Sequence, residues 1–235
     1  MTLDALGGAV LPTAAAAVAA GALVWPAPAV IAALPEPEQA AEDKTPYTEL
    51  GRTRRLRHRL AVAAALAAGS VGAVLGWDPA LAAWAYVCAV GVVLSFIDWR
   101  TSLLPFRLVA PSYGIVAGCV GFAALVARNA GLAERAAAGW LGAYALFALM
   151  WVVYRKGIGY GDVRLSGVLG MALALVGWPA LLVGLYSGFL FGAVGGGLLA
   201  LVGKVDRKGY PFGPFMVAGA WFGVVSGPLV SSWLG

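Results

Sequence analysis

The sequence predicts an all-α, polytopic membrane protein, a bundle of about eight transmembrane helices. Three observations carry that expectation. Of 235 residues, 61% are hydrophobic and 11% are charged, against roughly 25% charged in a soluble domain. The 16 basic and 11 acidic side chains are clustered, which leaves charge-free intervals at 5–35, 60–77, 79–97, 108–127, 136–154, 165–203 and 209–235. None of these alternates polar and apolar residues over about ten positions, as the strands of a membrane barrel do. An ordinary soluble globular protein is excluded.

A helix crosses the hydrocarbon core with about 20 residues, within a range of roughly 17–25. Interval 5–35 predicts helix one. Residues 1–9 contain Asp4 and no Lys or Arg, so the basic start of a cleavable signal peptide is missing. Pro12, Pro26 and Pro28 interrupt this segment, each removing a backbone donor. Intervals 60–77, 79–97, 108–127 and 136–154 predict helices two to five, one crossing each. Interval 165–203 is too long for one helix and carries Gly177-Trp178-Pro179 near its middle, so it predicts helices six and seven joined by a tight turn. Interval 209–235 supplies helix eight. Cys88 and Cys119 fall inside predicted helices, and one pair cannot make a four-ligand metal site. They read as packing residues, and no metal or other cofactor is expected.

Cytoplasmic loops hold an excess of Lys and Arg. Eight helices place 14 of the 16 basic residues on one face, in the 36–59 arm and the turns at 98–107, 155–164 and 204–211, and leave Arg128 and Arg135 on the other. The first face is therefore expected to be cytoplasmic, with both termini outside. The same anchoring explains the run Arg52 to Arg59, so the net charge of +5 and pI near 9.4 do not call for nucleic acid. His58, the only histidine, sits in that run and reads as an interfacial polar group.

Ionisable residues at membrane depth are functional candidates by default. Asp98 ends helix three in Phe96-Ile97-Asp98-Trp99-Arg100, and Asp162 opens helix six in Gly157-Ile158-Gly159-Tyr160-Gly161-Asp162-Val163-Arg164. Each has an ordinary structural explanation: Asp98 as an interfacial charge, Asp162 as a helix N-cap. Their agreement in depth argues against both, because helix three reaches the cytoplasmic boundary where helix six leaves it. Two carboxylates sharing one proton can hydrolyse a peptide without metal, one drawing a proton from water while the other donates to the scissile carbonyl. Helix six starts at Asp162, where its dipole favours an anion, and helix three ends at Asp98, so Asp162 is expected to be ionised and Asp98 protonated. Gly157, Gly159 and Gly161 supply backbone freedom for an extended substrate to lie alongside. No Gly-Lys-Ser/Thr follows them, which excludes a phosphate loop.

These residues resemble the type IV prepilin peptidases, membrane aspartic proteases of the Gly-x-Gly-Asp class. Asp98 stands seven residues before Pro105 in Asp-Trp-Arg-Thr-Ser-Leu-Leu-Pro, similar to the family's first aspartate motif. Gly159-Tyr160-Gly161-Asp162-Val163-Arg164-Leu165 looks like the second, and Tyr210-Pro211-Phe212-Gly213-Pro214-Phe215 looks like the Pro-Phe-Gly-Pro stretch that opens the last helix. The resemblance covers roughly residues 60–235, which it marks as the catalytic membrane domain, with 1–59 an N-terminal helix and basic arm. It implies an endopeptidase of the plasma membrane whose Asp98 and Asp162, facing the cytoplasm, cut the leader from prepilins or pseudopilins, serving pili or protein secretion. Gly159, Gly161, Arg164, Pro105, Pro211, Phe212, Gly213 and Pro214 would bind substrate or support the site. Partners would be the precursor, with its leader and hydrophobic helix, and the lipid bilayer; a homodimer is left open.

Three departures stand out. Phe106 occupies a position where the family commonly has Asp or Asn, and Arg164 replaces the usual Lys. The 36–59 arm has no cysteine, whereas many bacterial members carry two zinc-suited Cys-x-x-Cys pairs and also N-methylate the trimmed pilin. A short, peptidase-only form is expected. Two rivals exist. A presenilin- or signal-peptide-peptidase-like protease shares Gly-x-Gly-Asp and a Pro-Ala-Leu motif, here Pro179-Ala180-Leu181, but Ile97 precedes Asp98 where those proteins have Tyr. A proton-coupled transporter would place its acids near the midplane.

Overall fold

The computed structural model describes residues 3–36, 45–155, 157–201 and 211–234. Among them the chain is helical without strands: α1 (Leu3–Val24), α2 (Ala27–Ala32), α3 (Tyr47–Gly51), α4 (Leu56–Leu75), α5 (Leu81–Thr101), α6 (Phe106–Val126), α7 (Gly131–Val153), α8 (Tyr160–Val176), α9 (Trp178–Leu201) and α10 (Gly213–Leu234). Lys44, Lys156, Lys204, Arg207, Lys208 and Tyr210 lie outside the described residues.

Six segments are long and apolar enough to cross a membrane: Gly8–Ala32 across α1 and α2, then α4, α5, α6, α7 and Trp178–Leu198 in α9. The apolar α8 and α10, of 17 and 22 residues, bring the bundle to about eight. The prolines of the first crossing act unequally. Pro12 is carried inside α1, whereas Pro26 stands at the break before α2 with Pro28 in its first turn, positions where a missing N–H costs no helical bond. The turn expected at Gly177-Trp178-Pro179 separates α8 from α9. Helix ends overrun the charge-free intervals elsewhere: α5 continues past Asp98 and Arg100 to Thr101, because charge marks the edge of the apolar slab while a helix stops where its backbone is capped.

Two helices are innermost. In α5, 67% of the apolar window is buried, against 22–33% in the other five candidate spans. Along α8, Asp162, Val163 and every residue from Leu165 to Leu175 are buried. The two are joined where Trp84 Nε1–H donates to the Ala172 carbonyl at 3.1 Å. With lipid outside, close packing rather than water release holds such helices together. Between α7 and α8 there is no room for side chains at the crossing: a Cβ on Gly170 would lie 2.5 Å from the Gly139 carbonyl oxygen. Gly219 and Gly188 make the matching approach between α10 and α9.

Arg135, expected on the outer face, folds from α7 over the C-terminus of α8. Its Nε donates to the Ala174 carbonyl at 2.6 Å and its guanidinium to that of Leu175 at 2.7 Å, satisfying acceptors that the helix leaves open. Cys88 is buried and Cys119 half-buried, both free.

Candidate active site

Asp98 lies one turn before the end of α5 and is 4% exposed. Its Oδ2 accepts a 2.9 Å hydrogen bond from the backbone N–H of Gly213, the first residue of α10. The N–H groups of a first turn have no partner inside their own helix and carry the positive end of its dipole, so a carboxylate is well placed there. Gly213 is required by space: a Cβ would sit 2.8 Å from Asp98 Oδ2 and 3.3 Å from Leu104 Cδ2. Pro211 is buried, and Pro214 follows within the first turn of α10, where proline loses no helical bond.

Asp162 is the third residue of α8 and 8% exposed. It is not the N-cap. Gly159 holds that place in extended conformation, and Asp162 reaches back so that its Oδ2 accepts the Gly159 N–H at 3.0 Å. An acid at this position satisfies a donor ahead of the helix and sits at the positive end of the dipole. The Gly159 N–H is thus already donated to Asp162. The dipole asymmetry expected between the aspartates is incomplete too, since Asp98 meets the start of α10 as well as the end of α5.

Leu104, which was not singled out from the sequence, joins the two halves. A Cβ on Gly161 would lie 2.9 Å from Leu104 Cβ, and the same side chain packs against Gly213. Leu104 thus touches the residue before Asp162 and the residue that binds Asp98. It is held there because Ser102 ends α5 with φ 51° and Pro105, extended at ψ 124°, starts α6. The signal was the Leu-Leu-Pro run, of which only the proline was marked.

Arg164 faces neither carboxylate in the contacts observed. Its guanidinium lies 4.6 Å from the Phe106 ring centre and 4.5 Å from that of Tyr160, while the Tyr113 hydroxyl donates to its backbone carbonyl at 2.6 Å. The two departures in sequence, Phe106 and Arg164, are thus direct neighbours and form a cation–π pair. Phe212 completes an aromatic cluster with Phe147 and Phe189, at 6.2 Å and 5.7 Å between ring centres. His58 lies elsewhere, exposed and edge-on to Trp25 at 5.5 Å.

Among the described residues, Asp98 and Asp162 are the only buried charged side chains. Both sit at helix ends rather than at mid-helix, unlike a midplane coupling site. Pro179-Ala180-Leu181 opens α9 beyond the far end of α8 from Asp162, roughly 25 Å along a 17-residue helix. Among the described residues no three His, Cys, Asp or Glu side chains are grouped to hold a metal ion.

Residues 84–197 match the family model described as the type IV leader peptidase family. The chain is 32% identical over 157 residues to a prepilin leader peptidase/N-methyltransferase of Aeromonas salmonicida (strain A449), covering 60% of this chain and 48% of that protein. It is 36% identical over 167 residues to one from Burkholderia pseudomallei (strain 1026b), covering 66% and 49%, and 32% identical over 165 residues to one from Pectobacterium carotovorum subsp. carotovorum, covering 66% and 56%. The chain spans about half the length of the curated relatives it matches. No solved structure matches. The stretch that carries both buried aspartates, residues 84–197, is thus similar to the type IV leader peptidase family.

Proposed function

We propose that this chain is a membrane aspartic endopeptidase that removes the leader from type IV prepilins or pseudopilins at the cytoplasmic face of the plasma membrane. Its catalytic membrane domain is residues 60–235, and its catalytic pair is Asp98 and Asp162. The observation that carries the reading is the burial of these two carboxylates, and of no other charge among the described residues, at ends of the two innermost helices, with Leu104 packed against Gly161 beside Asp162 and against Gly213, which binds Asp98. Burial of a charge without function is costly. The family match over residues 84–197 and the relatives' names support the substrate class.

In this reading the pair shares one proton, because two adjacent carboxylates do not both ionise readily. The ionised member takes a proton from water, and the oxygen of that water bonds to the scissile carbonyl carbon. The other member protonates the carbonyl oxygen; as the diol collapses and the C–N bond breaks, the leaving nitrogen takes the proton that the first member drew from water, and the second member recovers one from a diol hydroxyl. The chain's own contribution is orientation. Gly213 N–H fixes Asp98, Gly159 N–H fixes Asp162, and Leu104 with Pro105, Gly161 and Pro211 to Pro214 holds the two turns in register. Arg164, pinned between Phe106 and Tyr160, anchors the start of α8 to the start of α6. The cysteine-free arm supports peptidase action without pilin methylation.

The test is incubation of the membrane-embedded protein with candidate prepilins, followed by mass measurement of the product N-terminus. Loss of the leader with no added methyl is expected; an uncut precursor across pilins and pseudopilins contradicts the proposal.

A further inference from the structure

Phe147 of α7 and Phe189 of α9 meet Phe212 just ahead of α10. Phe147, 2% exposed, stacks on Phe189 at 5.2 Å between ring centres and 22° between planes, and Phe212 leans on both at 6.2 Å and 5.7 Å. Phe147 and Phe189 each belong to a locked helix pair. α7 is fixed on α8 at the Gly139–Gly170 crossing, where a Cβ on Gly170 would also lie 2.5 Å from that of Ala143, one turn before Phe147. α9 is fixed on α10, where a Cβ on Gly223 would lie 2.6 Å from Gly184 Cα. The seam between the pairs is less tight: it holds a small apolar cavity bounded by the three rings, by Leu169 and Leu173 of α8 and by Met216 of α10. Atoms lining a gap forfeit contacts, so the stacked rings carry much of the contact across the seam at this level.

Each pair carries one half of the site. Asp162 belongs to α8. The backbone carbonyl of Phe212 accepts from the N–H groups of Phe215 and Met216 at 3.0 Å and 3.1 Å, the first bonds of α10, which makes Phe212 the cap from which that helix starts. The next N–H along the chain, that of Gly213, is the one that binds Asp98. Clamping the Phe212 ring therefore clamps the donor that sets Asp98, with α7 and α8 as the frame of reference. Small misplacement of a reacting group lowers rate steeply. We infer that Phe147 and Phe189 are positioning residues of the site: by stacking on each other and on Phe212 they fix the start of α10 against the α7–α8 pair, and so the placement of the Gly213-bound Asp98 relative to Asp162. Their role rests on the peptidase reading above.

The experiment measures kcat and KM for prepilin cleavage by the full chain carrying Phe147→Leu or Phe189→Leu, per folded protein, each alone and with Gly213→Ala. Leucine keeps apolar bulk and loses the stack. Loss of an aromatic pair corresponds to a fall in kcat of about two- to tenfold for each single variant, with KM within about twofold. Combined with Gly213→Ala, which already displaces the Asp98 oxygen, either change is expected to add less than its own factor, because both act through one N–H. Should Phe147→Leu fold poorly, Phe189→Leu, at a half-buried position, carries the test. Unchanged kcat, a rise in KM alone, losses that multiply fully with Gly213→Ala, or a lower folded yield with normal kcat per folded molecule would each overturn the inference. Asp98→Asn and Asp162→Asn run beside these: if they still cleave, the aspartate reading fails, whereas if they are dead and the leucine variants are normal, only the role of the rings fails.

Discussion

The backbone N–H of Gly213 donates a 2.9 Å hydrogen bond to Oδ2 of Asp98, across 115 residues of sequence and in a buried setting. That bond ties the start of α10 to the end of α5. It explains why a glycine stands between two prolines and two phenylalanines in Pro211-Phe212-Gly213-Pro214-Phe215: the prolines and aromatics fix the helix start, and the glycine lets a carboxylate approach its backbone.

Gly213→Ala places a methyl group 2.8 Å from the Asp98 oxygen, closer than two such atoms come. Either the carboxylate turns away or α10 shifts. A hydrogen bond to a charged group contributes about 1.5–3 kcal/mol, so a fall in cleavage rate of roughly tenfold to a hundredfold is expected if that stabilisation serves the transition state. Steady-state kinetics beside a thermal melt check this; normal kcat would show that the contact does not position Asp98.

The Phe106–Arg164 contact predicts coupling. Arg164→Ala and Phe106→Ala should each weaken activity, and their double variant should lose less than the product of the two. The interaction energy is expected at about 0.5–2 kcal/mol, the range for a cation over an aromatic face. Phe106→Asp, which offers Arg164 a carboxylate in place of the ring, should retain more activity than Phe106→Ala. A strictly multiplicative double-mutant cycle contradicts the pairing.

Arg135 is expected to matter for stability and not for chemistry. Arg135→Met leaves the Ala174 and Leu175 carbonyls of α8 without their donor, and a buried acceptor left unpaired costs about 1–3 kcal/mol. The melting temperature should fall while kcat per folded molecule stays normal. A drop in kcat with unchanged stability contradicts that role.

Much of the bundle was legible because the bilayer excludes charge: intervals without Asp, Glu, Lys or Arg locate the crossings, and Gly177-Trp178-Pro179 divides the longest. Exact helix ends were not, since capping geometry decides them; α5 carries Asp98 and Arg100 within the helix, and α8 begins at Tyr160 rather than at its aspartate. Asp98 and Asp162 stood out for their rarity at membrane depth. Among their supports, Gly159, Gly161 and Gly213 were named through the resemblance, but the contacts they make were not legible. The Gly213 contact spans 115 residues, and Leu104 is an apolar residue among many. Such contacts have no local periodicity, and only the packed chain brings them together.

The central claim is that Asp98 and Asp162 together activate water for peptide hydrolysis. Its most direct test is cleavage of a co-expressed prepilin by Asp98→Ala and Asp162→Ala variants whose membrane insertion and folding are verified. Each is predicted to leave the precursor uncut, with no detectable mature product by mass; trimming by both variants at the wild-type position would contradict the account.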